Sequence, residues 1–423
     1  MQILVFTYFL LLLLYVWKRN KCFSIGCYII LLYTFSAFFS ILIDAFDLYG
    51  QGGVYPKVAN NSFIATFLYC FLLTICIYPF CKIKNNQIEY ITLRNHLLFK
   101  IICYFFFFIF LLSLFFLGKN TINILTGDIG TFRIKHYMGT LDSYQTNLDG
   151  ISFVLSFILN IFSYLSPLAL IFFFYSITFL NNSRRFNMMI FLSSFSQLII
   201  AVQTADRANF IYYISMLGFC YFLFSHFFSK KQRKFVHRFI FIFGITFIIY
   251  IVLITTARFS ARSGGTWGSV IQYAGQSYPN FCYLYENFEA PNISTLRLFP
   301  MTNHFIFDAD YGMERRNYLL KETGITTSVF STFLGTIMVD LGKKGMIIYA
   351  IIFSVFMNFL VKRQKRRSEI DFSWLILLFI FVSIPIFGIF YYRYYNYNAS
   401  FFVVCSIFLY ALFKFPLLKK QLS

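Results

Sequence analysis

The sequence is built from apolar runs that are each long enough, or nearly so, to cross a lipid bilayer as a helix. A spanning helix needs about 20 mostly apolar residues. The runs cover residues 2–17, 23–43, 62–81, 97–118, 151–180, 187–203, 208–228, 239–256, 345–361, 372–390 and 397–414. Backbone polar groups find no partner in lipid, and the runs lack the ten-residue alternation of a membrane barrel. The sequence therefore predicts an all-α, polytopic integral membrane protein with about eleven transmembrane helices.

Composition supports this prediction. Hydrophobic residues make up 59% of the 423 residues, and charged residues only 12%, against about 25% in a soluble domain. The apolar residues are spread along the whole chain, which predicts one polytopic domain over residues 1–423. The first run has no basic stretch before it and no small-residue cleavage site after it. It is therefore interpreted as a helix and not as a signal peptide.

The positive charges are distributed unevenly between the two sides of the predicted membrane. Alternating loops on one side hold 22 Lys and Arg and 3 Asp and Glu, whereas the other side holds 14 and 13. The positive-inside rule then places the N-terminus outside and the C-terminus in the cytoplasm. The formal net charge of +20 is explained by this asymmetry. We therefore expect no nucleic acid partner.

Several kinds of site are not indicated. The nine cysteines include no CxxC pair, and Cys282 is the only one in a clearly external loop. The five histidines lack ligand-like spacing, so neither a disulfide framework nor a metal site is predicted. There is no Walker or Rossmann fingerprint, and no cofactor is expected. The predicted spans are almost free of ionisable groups and show no internal repeat, which argues against an ion-coupled carrier.

Polar residues concentrate in the predicted outer segments, above all in a large external (periplasmic) loop over residues 257–344. Arg258 and Arg262 in this loop are four residues apart and would share one helical face. Tyr273, Gln276 and Tyr278 follow in an amide- and tyrosine-rich stretch. Amides suit sugar hydroxyls, and aromatic rings suit the C–H faces of sugars. The alternative is that the tyrosines only anchor the membrane interface.

Two short motifs carry a resemblance to a known family. Asp340-Leu341-Gly342-Lys343-Lys344-Gly345 leads into a predicted helix, and Ala205-Asp206-Arg207 occupies a tight external turn. With the many helices and the late external loop, they resemble the Wzy-type O-antigen polymerases, the oligosaccharide repeat-unit polymerases of surface-polysaccharide synthesis. Related O-antigen ligases carry a histidine shortly before the GxxG stretch, where this chain has Ser331.

The resemblance implies a fold like that of the membrane glycosyltransferases and a polymerase in the bacterial cytoplasmic (inner) membrane. Such an enzyme transfers an undecaprenyl-pyrophosphate-linked glycan onto the next lipid-linked repeat unit at the outer face. The implied partners are these lipid-linked oligosaccharides, membrane lipid and a chain-length regulator protein. The product class would be lipopolysaccharide O-antigen, capsule or another exopolysaccharide of the cell envelope.

The implied chemistry needs cations for the pyrophosphate and a base for the acceptor hydroxyl. The candidate residues are Arg207, Arg258, Arg262 and Arg297 for the pyrophosphate, His304 or Glu286 as the base, and Tyr273, Gln276, Tyr278 and Arg393 for the glycan. Each has a plainer interpretation. The arginines can be interface anchors that reach lipid phosphate, and a lone loop histidine is more often simply solvated.

Two alternative functions remain open. The first is another membrane transferase, either an O-antigen ligase or an enzyme that uses a lipid-phosphate sugar. The second is a flippase or transporter of polysaccharide lipids, which would be expected to show a charged central cavity and pseudo-symmetric halves.

Overall fold

The computed structural model describes residues 1–58, 63–127, 153–180, 182–203, 207–259, 265–289, 298, 300, 313–327, 329–365, 369–395 and 397–415. Its helices are α1 (Gln2–Asn20), α2 (Ile25–Ala45), α3 (Phe63–Cys81), α4 (His96–Thr126), α5 (Phe153–Leu165), α6 (Ala169–Phe179), α7 (Arg184–Ser193), α8 (Ser196–Gln203), α9 (Arg207–Phe224), α10 (Lys230–Phe259), α11 (Gly265–Gly275), α12 (Ser277–Asn287), α13 (Met313–Thr323), α14 (Thr332–Lys365), α15 (Phe372–Phe387) and α16 (Tyr397–Lys414). The two short strands are β1 (Tyr90–Thr92) and β2 (Glu369–Asp371), and 3₁₀ turns occur at Asn85–Gln87, Ser166–Leu168 and Arg393–Tyr395.

Within the described residues, eight helical segments are long and apolar enough to cross a membrane: Gln2–Asn20, Ile25–Ala45, Phe63–Cys81, His96–Gly118, Ile158–Phe179, Arg184–Gln203, Lys230–Thr256 and Thr332–Lys362. Two shorter apolar helices cover Phe372–Phe387 and Asn398–Lys414. The predicted all-α, membrane-embedded class is therefore confirmed. The number of about eleven spans and their orientation stay predictions.

The chain groups into two compact units, each made of separate stretches of sequence. The first unit comprises Met1–Ile88, Ser263–Ser368 and Ile380–Ser400, and the second comprises Glu89–Arg262, Glu369–Phe379 and Phe401–Ser423. Each unit is described below by itself. The single polytopic domain proposed from the sequence stays a prediction.

In the first unit, one buried polar residue joins the ends of three helices. Asn20 ends α1, and its Nδ2 donates to Ser24 Oγ and to the Cys81 carbonyl, both at 3.1 Å. Ser24 is also the N-cap of α2 and accepts from the Cys27 N–H at 3.4 Å. Because Asn20 and Ser24 are buried, these hydrogen bonds replace bonds to water and fix the corner between α1, α2 and α3.

Small residues bring α2 and α11 into close contact. A Cβ added at Gly275 would lie 2.4 Å from the Phe39 carbonyl carbon, so no larger residue fits there. Ser36 Oγ donates to the Ala274 carbonyl at 2.9 Å, and Ser40 Oγ donates to the Gly275 carbonyl. The serines therefore satisfy backbone acceptors at the end of α11, in the manner typical of helices packed inside membranes.

In the second unit, aromatic rings from sequence-distant helices form the core. The ring centroids of Phe99 and Phe172 are 5.0 Å apart, those of Phe172 and Phe372 are 5.0 Å apart, and those of Phe372 and Phe413 are 5.2 Å apart. Stacked and edge-to-face aromatic pairs such as these contribute about 0.5–1.5 kcal/mol each beyond their buried area. They join α4, α6, α15 and α16.

The run 151–180, predicted as one helix, is divided into α5 and α6 by a 3₁₀ turn that contains Pro167. Proline lacks the N–H that an uninterrupted helix would use. Ser166 in this turn donates to the Ser194 carbonyl at 3.1 Å and accepts from the Gln197 N–H at 3.0 Å. Ser194 lies between α7 and α8, so two interrupted helices satisfy each other's freed backbone groups.

The strands β1 and β2 pair in parallel, with Ile91 opposite Ile370. Beside them, Arg94 Nε and Asp371 Oδ2 form an ion pair at 3.0 Å. In sequence, β1 lies within the stretch 82–100 and β2 follows the basic stretch 362–367. The charge pattern assigns both stretches to one side of the membrane. Which side is cytoplasmic stays a prediction.

The segment predicted as a large external loop, residues 257–344, contains substantial helix. It holds α11, α12, α13 and the first part of α14, which begins at Thr332 and not at 345. The early start has a physical reason, since Phe333, Leu334 and Ile337 are fully buried. Cys282, expected in an external loop, lies in α12 with only 1% of its surface exposed.

Candidate functional site

The sequence motif at residues 340–345 forms a break inside α14. Gly342 has φ 71° and ψ 178°, a conformation that is essentially restricted to glycine, while the residues around it are helical. Gly345 is also constrained, because a Cβ there would lie 2.4 Å from Leu341 Cβ. The motif therefore divides α14 into two helical halves. We call residues 340–345 the helix break.

The end of α12 lies beside the helix break in the first unit. Phe281 of α12 packs against α14 near Gly335, where an added Cβ would be 3.6 Å from its ring. Lys343 Nζ lies 4.8 Å from the centre of the Tyr285 ring, within cation–π distance. Burial first, and then the charge of Glu286, raise the pKa of Tyr285. The exposed carboxylate of Glu286 is thus next in sequence to a tyrosine that contacts the break.

Three amide side chains form what we call the amide cluster: Gln272 of α11, Gln276 between α11 and α12, and Asn280 of α12. Gln272 Nε2 donates to the carbonyls of Leu48 and Gln51 at 3.0 and 3.2 Å. Asn280 Nδ2 donates to the Gly53 carbonyl at 2.8 Å and to the Phe330 carbonyl at 2.9 Å.

Two of the residues predicted to bind the glycan, Gln276 and Tyr278, are buried. Gln276 is 3% exposed, and its Oε1 accepts from Asn280 Nδ2 at 3.3 Å. Tyr278 is 1% exposed and shares a 2.8 Å hydrogen bond with Thr66. In this structure both side chains hold neighbouring segments in place.

Tyr273 of α11 and Arg393, which follows α15 in sequence, both pack against aromatic rings of the first unit. The half-buried Tyr273 ring packs edge-on against Phe330 at 4.6 Å, and Phe330 stacks on Tyr391 at 5.6 Å. Arg393 is 7% exposed, and its guanidinium lies 5.3 Å from the Phe387 ring centre. Among the predicted glycan residues, Tyr273 therefore keeps the clearest partly accessible aromatic surface.

The second unit holds Arg207, the first residue of α9. Its side chain is 4% exposed, and Nη1 donates to Thr255 Oγ1 of α10 at 2.8 Å. Nearby, Gln197 Nε2 donates to Asn209 Oδ1 at 2.9 Å. A charge buried this deeply is costly, so it indicates either a structural polar layer or a functional site. The sequence predicted Arg207 in an external turn and did not foresee its burial.

Four of the predicted site residues lie partly or wholly outside the described residues. Arg258 lies in the last turn of α10, three residues after Thr255, but its side chain is outside the described residues. Arg262, Arg297 and His304 also lie outside the described residues. The pyrophosphate role of Arg207, Arg258, Arg262 and Arg297 therefore stays a prediction, as does the choice between His304 and Glu286.

The sequence pattern does not predict the helix break, because residues 340–345 have the pattern of a loop end that leads into a helix. The available signal was the pair of glycines three residues apart at the start of an apolar run. A helical half that begins at Lys343 directs N–H groups and the positive end of its dipole toward the break. With Lys343 and Lys344, it could stabilise a phosphate, while the Glu286 carboxylate could accept a proton.

No protein-family model, curated protein or solved structure matches this chain.

Proposed function

We propose that this chain is a membrane glycosyltransferase of the Wzy type, which polymerises lipid-linked oligosaccharide repeat units at the outer face of the bacterial cytoplasmic membrane. The observation that carries the proposal is the helix break at residues 340–345 in an apolar helix long enough to cross the membrane. Its Lys343 lies against the Tyr285 ring, and the exposed Glu286 is next to Tyr285 in sequence. Non-helical backbone at membrane depth is either buried in protein or lines a cavity, and interrupted helices form the substrate sites of many transporters.

In the proposed reaction, the acceptor hydroxyl oxygen attacks the anomeric carbon of the donor glycan. The new glycosidic C–O bond forms as the bond from that carbon to the pyrophosphate oxygen breaks. Undecaprenyl pyrophosphate leaves with the electron pair, and the hydroxyl proton passes to a carboxylate or imidazole base. The activated donor supplies the driving force, so the step requires no nucleotide.

The described residues suggest a division of roles. Glu286 is exposed at the end of α12 and is a candidate for the base, with His304 as the rival. Lys343 and the start of the second half of α14 are candidates for holding the leaving pyrophosphate. Tyr273 offers a ring face to the glycan, while the amide cluster fixes the surrounding segments. Arg207 remains a pyrophosphate candidate, with Arg258 one turn further along α10 than its partner Thr255.

The experiment uses purified full-length protein in lipid vesicles, supplied with lipid-linked repeat units extracted from the bacterium that carries the gene. We expect a ladder of lipid-linked multimers and release of undecaprenyl pyrophosphate. Glu286→Gln removes the carboxylate with little change of size. Glu289→Gln is the matched control, because Glu289 is also exposed and lies three residues further along.

Two outcomes would contradict the proposal. Transbilayer movement of the lipid-linked unit without multimers would identify a transporter. Transfer to a lipid A core acceptor, without repeat-unit multimers, would identify a ligase.

A further inference from the structure

A groove with a basic rim lies within the second unit, between α6, α7 and α10. It has a volume of about 740 Å³. Its cationic lining consists of Arg184 from α7 and Lys231, Lys234 and Arg238 from α10. We call it the basic groove. None of the roles proposed above uses it.

The lining of the basic groove contains no carboxylate. In the full sequence, Asp206 is the only acidic residue between Asp149 and Glu286. Asp206 precedes the first residue of α9, whereas the basic groove lies near the start of α10, beyond the other end of that 18-residue helix. At 1.5 Å per residue, α9 alone separates these ends by about 27 Å. The four cations therefore have no acidic neighbour that would neutralise them within this stretch of chain.

The deeper part of the basic groove is apolar. Phe173 of α6 and Phe239 of α10 both line it, with ring centroids 6.2 Å apart, and Phe235 stacks on Phe239 at 5.8 Å. Along α10, Lys231, Lys234 and Arg238 recur at three- and four-residue spacing beside Phe235 and Phe239. One face of the helix thus presents a charged rim above an aromatic wall.

Hydrogen bonds hold the corner of the basic groove in shape. Ser176 Oγ donates to Asn187 Oδ1 at 2.6 Å and accepts from Asn182 Nδ2 at 2.9 Å. Gln232, which also lines the groove, donates through Nε2 to the Ile177 carbonyl. At the start of α10, Ser229 and Gln232 cap each other's backbone N–H groups. The cationic side chains therefore extend from backbone segments that these hydrogen bonds hold in place.

We propose that the basic groove binds an anionic phospholipid of the surrounding bilayer, with its phosphate at the four cations and an acyl chain along the half-buried Phe235 and Phe239. Charge complementarity selects an anion, and the apolar wall selects one that carries a hydrocarbon chain. Basic pockets between transmembrane helices bind such headgroups at the cytoplasmic surface. The predicted orientation places the starts of α7 and α10 on that side, opposite the proposed glycan chemistry.

Two variants with the same loss of charge test this proposal. Lys234→Gln with Arg238→Gln removes two cations of the basic groove. Lys230→Gln with Arg233→Gln removes two exposed cations from the same helix that do not line it. The probe is phosphatidylglycerol, titrated onto the purified full chain in neutral detergent and counted by native mass spectrometry. Phosphatidylcholine serves as the zwitterionic comparison.

We expect the groove variant to bind phosphatidylglycerol about 30-fold more weakly, because each basic residue near an anionic lipid contributes about a factor of five. The control variant should bind within about threefold of the wild type, and phosphatidylcholine should show no difference between variants. Equal weakening in both variants would overturn the proposal, because it would indicate general surface attraction. So would inorganic phosphate binding as tightly as the lipid with the same dependence on Lys234 and Arg238.

Discussion

Replacing Gly342 with alanine should disturb the helix break. The reason is conformational, since an added Cβ at Gly342 would meet no atom within 4 Å. The backbone at φ 71° and ψ 178° costs a non-glycine residue about 1–3 kcal/mol. Alanine also favours a straight helix over glycine by about 1 kcal/mol.

The two effects act in the same direction and sum to about 2–4 kcal/mol against the broken form. At 1.36 kcal/mol per factor of ten, the population of the break relative to a continuous helix should fall about 30-fold or more. A continuous helix would rotate the residues after Gly342 away from Tyr285. We therefore expect repeat-unit polymerisation to fall by at least tenfold while the protein still reaches the membrane.

The matched control is Gly244→Ala in α10. Gly244 is helical and its added Cβ also meets nothing within 4 Å, so the same methyl group enters a conformation that accepts it. This variant should keep wild-type activity and equal or higher thermal stability. The measurements are ladder formation in vesicles and thermal unfolding in detergent, with all three proteins side by side. Wild-type ladders and unfolding midpoint for Gly342→Ala would refute the reasoning.

Three further predictions concern single side chains. Arg207→Lys should retain partial polymerisation and Arg207→Ala almost none, because guanidinium forms paired hydrogen bonds that an ammonium cannot replace. Thr255→Val removes the described hydrogen-bond partner of Arg207 and should give a ladder of intermediate length, with the protein present in the membrane at its normal level. Full ladders from Arg207→Ala would leave this arginine without a catalytic role. Of Glu286→Gln and His304→Ala, the variant that removes the base should lose about 10²–10⁴-fold in rate, and two fully active variants would place the base elsewhere. Burial raises the pKa of Cys282 to about 12 from 9.0. Alkylation of Cys282 at pH 8, followed by peptide mass spectrometry, should therefore be roughly a thousandfold slower than that of a free thiol, because the thiolate is the reactive form. Rapid labelling of Cys282 in the folded protein would contradict its burial.

The sequence predicts the long helices well because their signals are local. Run 62–81 appears as Phe63–Cys81 and run 97–118 as His96–Gly118. The start of α4 is explained by Asn95, whose side chain accepts from the Leu98 N–H at 2.9 Å. Apolar runs and caps of this kind need no knowledge of tertiary contacts.

The start of α14 and the role of the amides depend on contacts that are distant in sequence. The mostly polar residues 340–344 resemble a loop, because hydropathy cannot show that residues 332–339 already form a buried helix. Gln276 and Tyr278 have the residue types of a sugar site, yet here they bond to Asn280 and Thr66. Residue type indicates which hydrogen bonds a side chain can form, but the fold decides whether its partner is a ligand or the protein.

The pairing of β1 with β2 has a consequence for synthesis on the ribosome. Thr92 Oγ1 donates to the Ile370 carbonyl across 278 positions of sequence. At about 5–20 residues per second, the ribosome needs roughly 14–56 s after it has added Thr92 before Ile370 exists. During that interval β1 has no partner strand, while α4 through α14 are inserted. Co-translational assembly of the second unit therefore cannot finish until the last helices of the chain emerge.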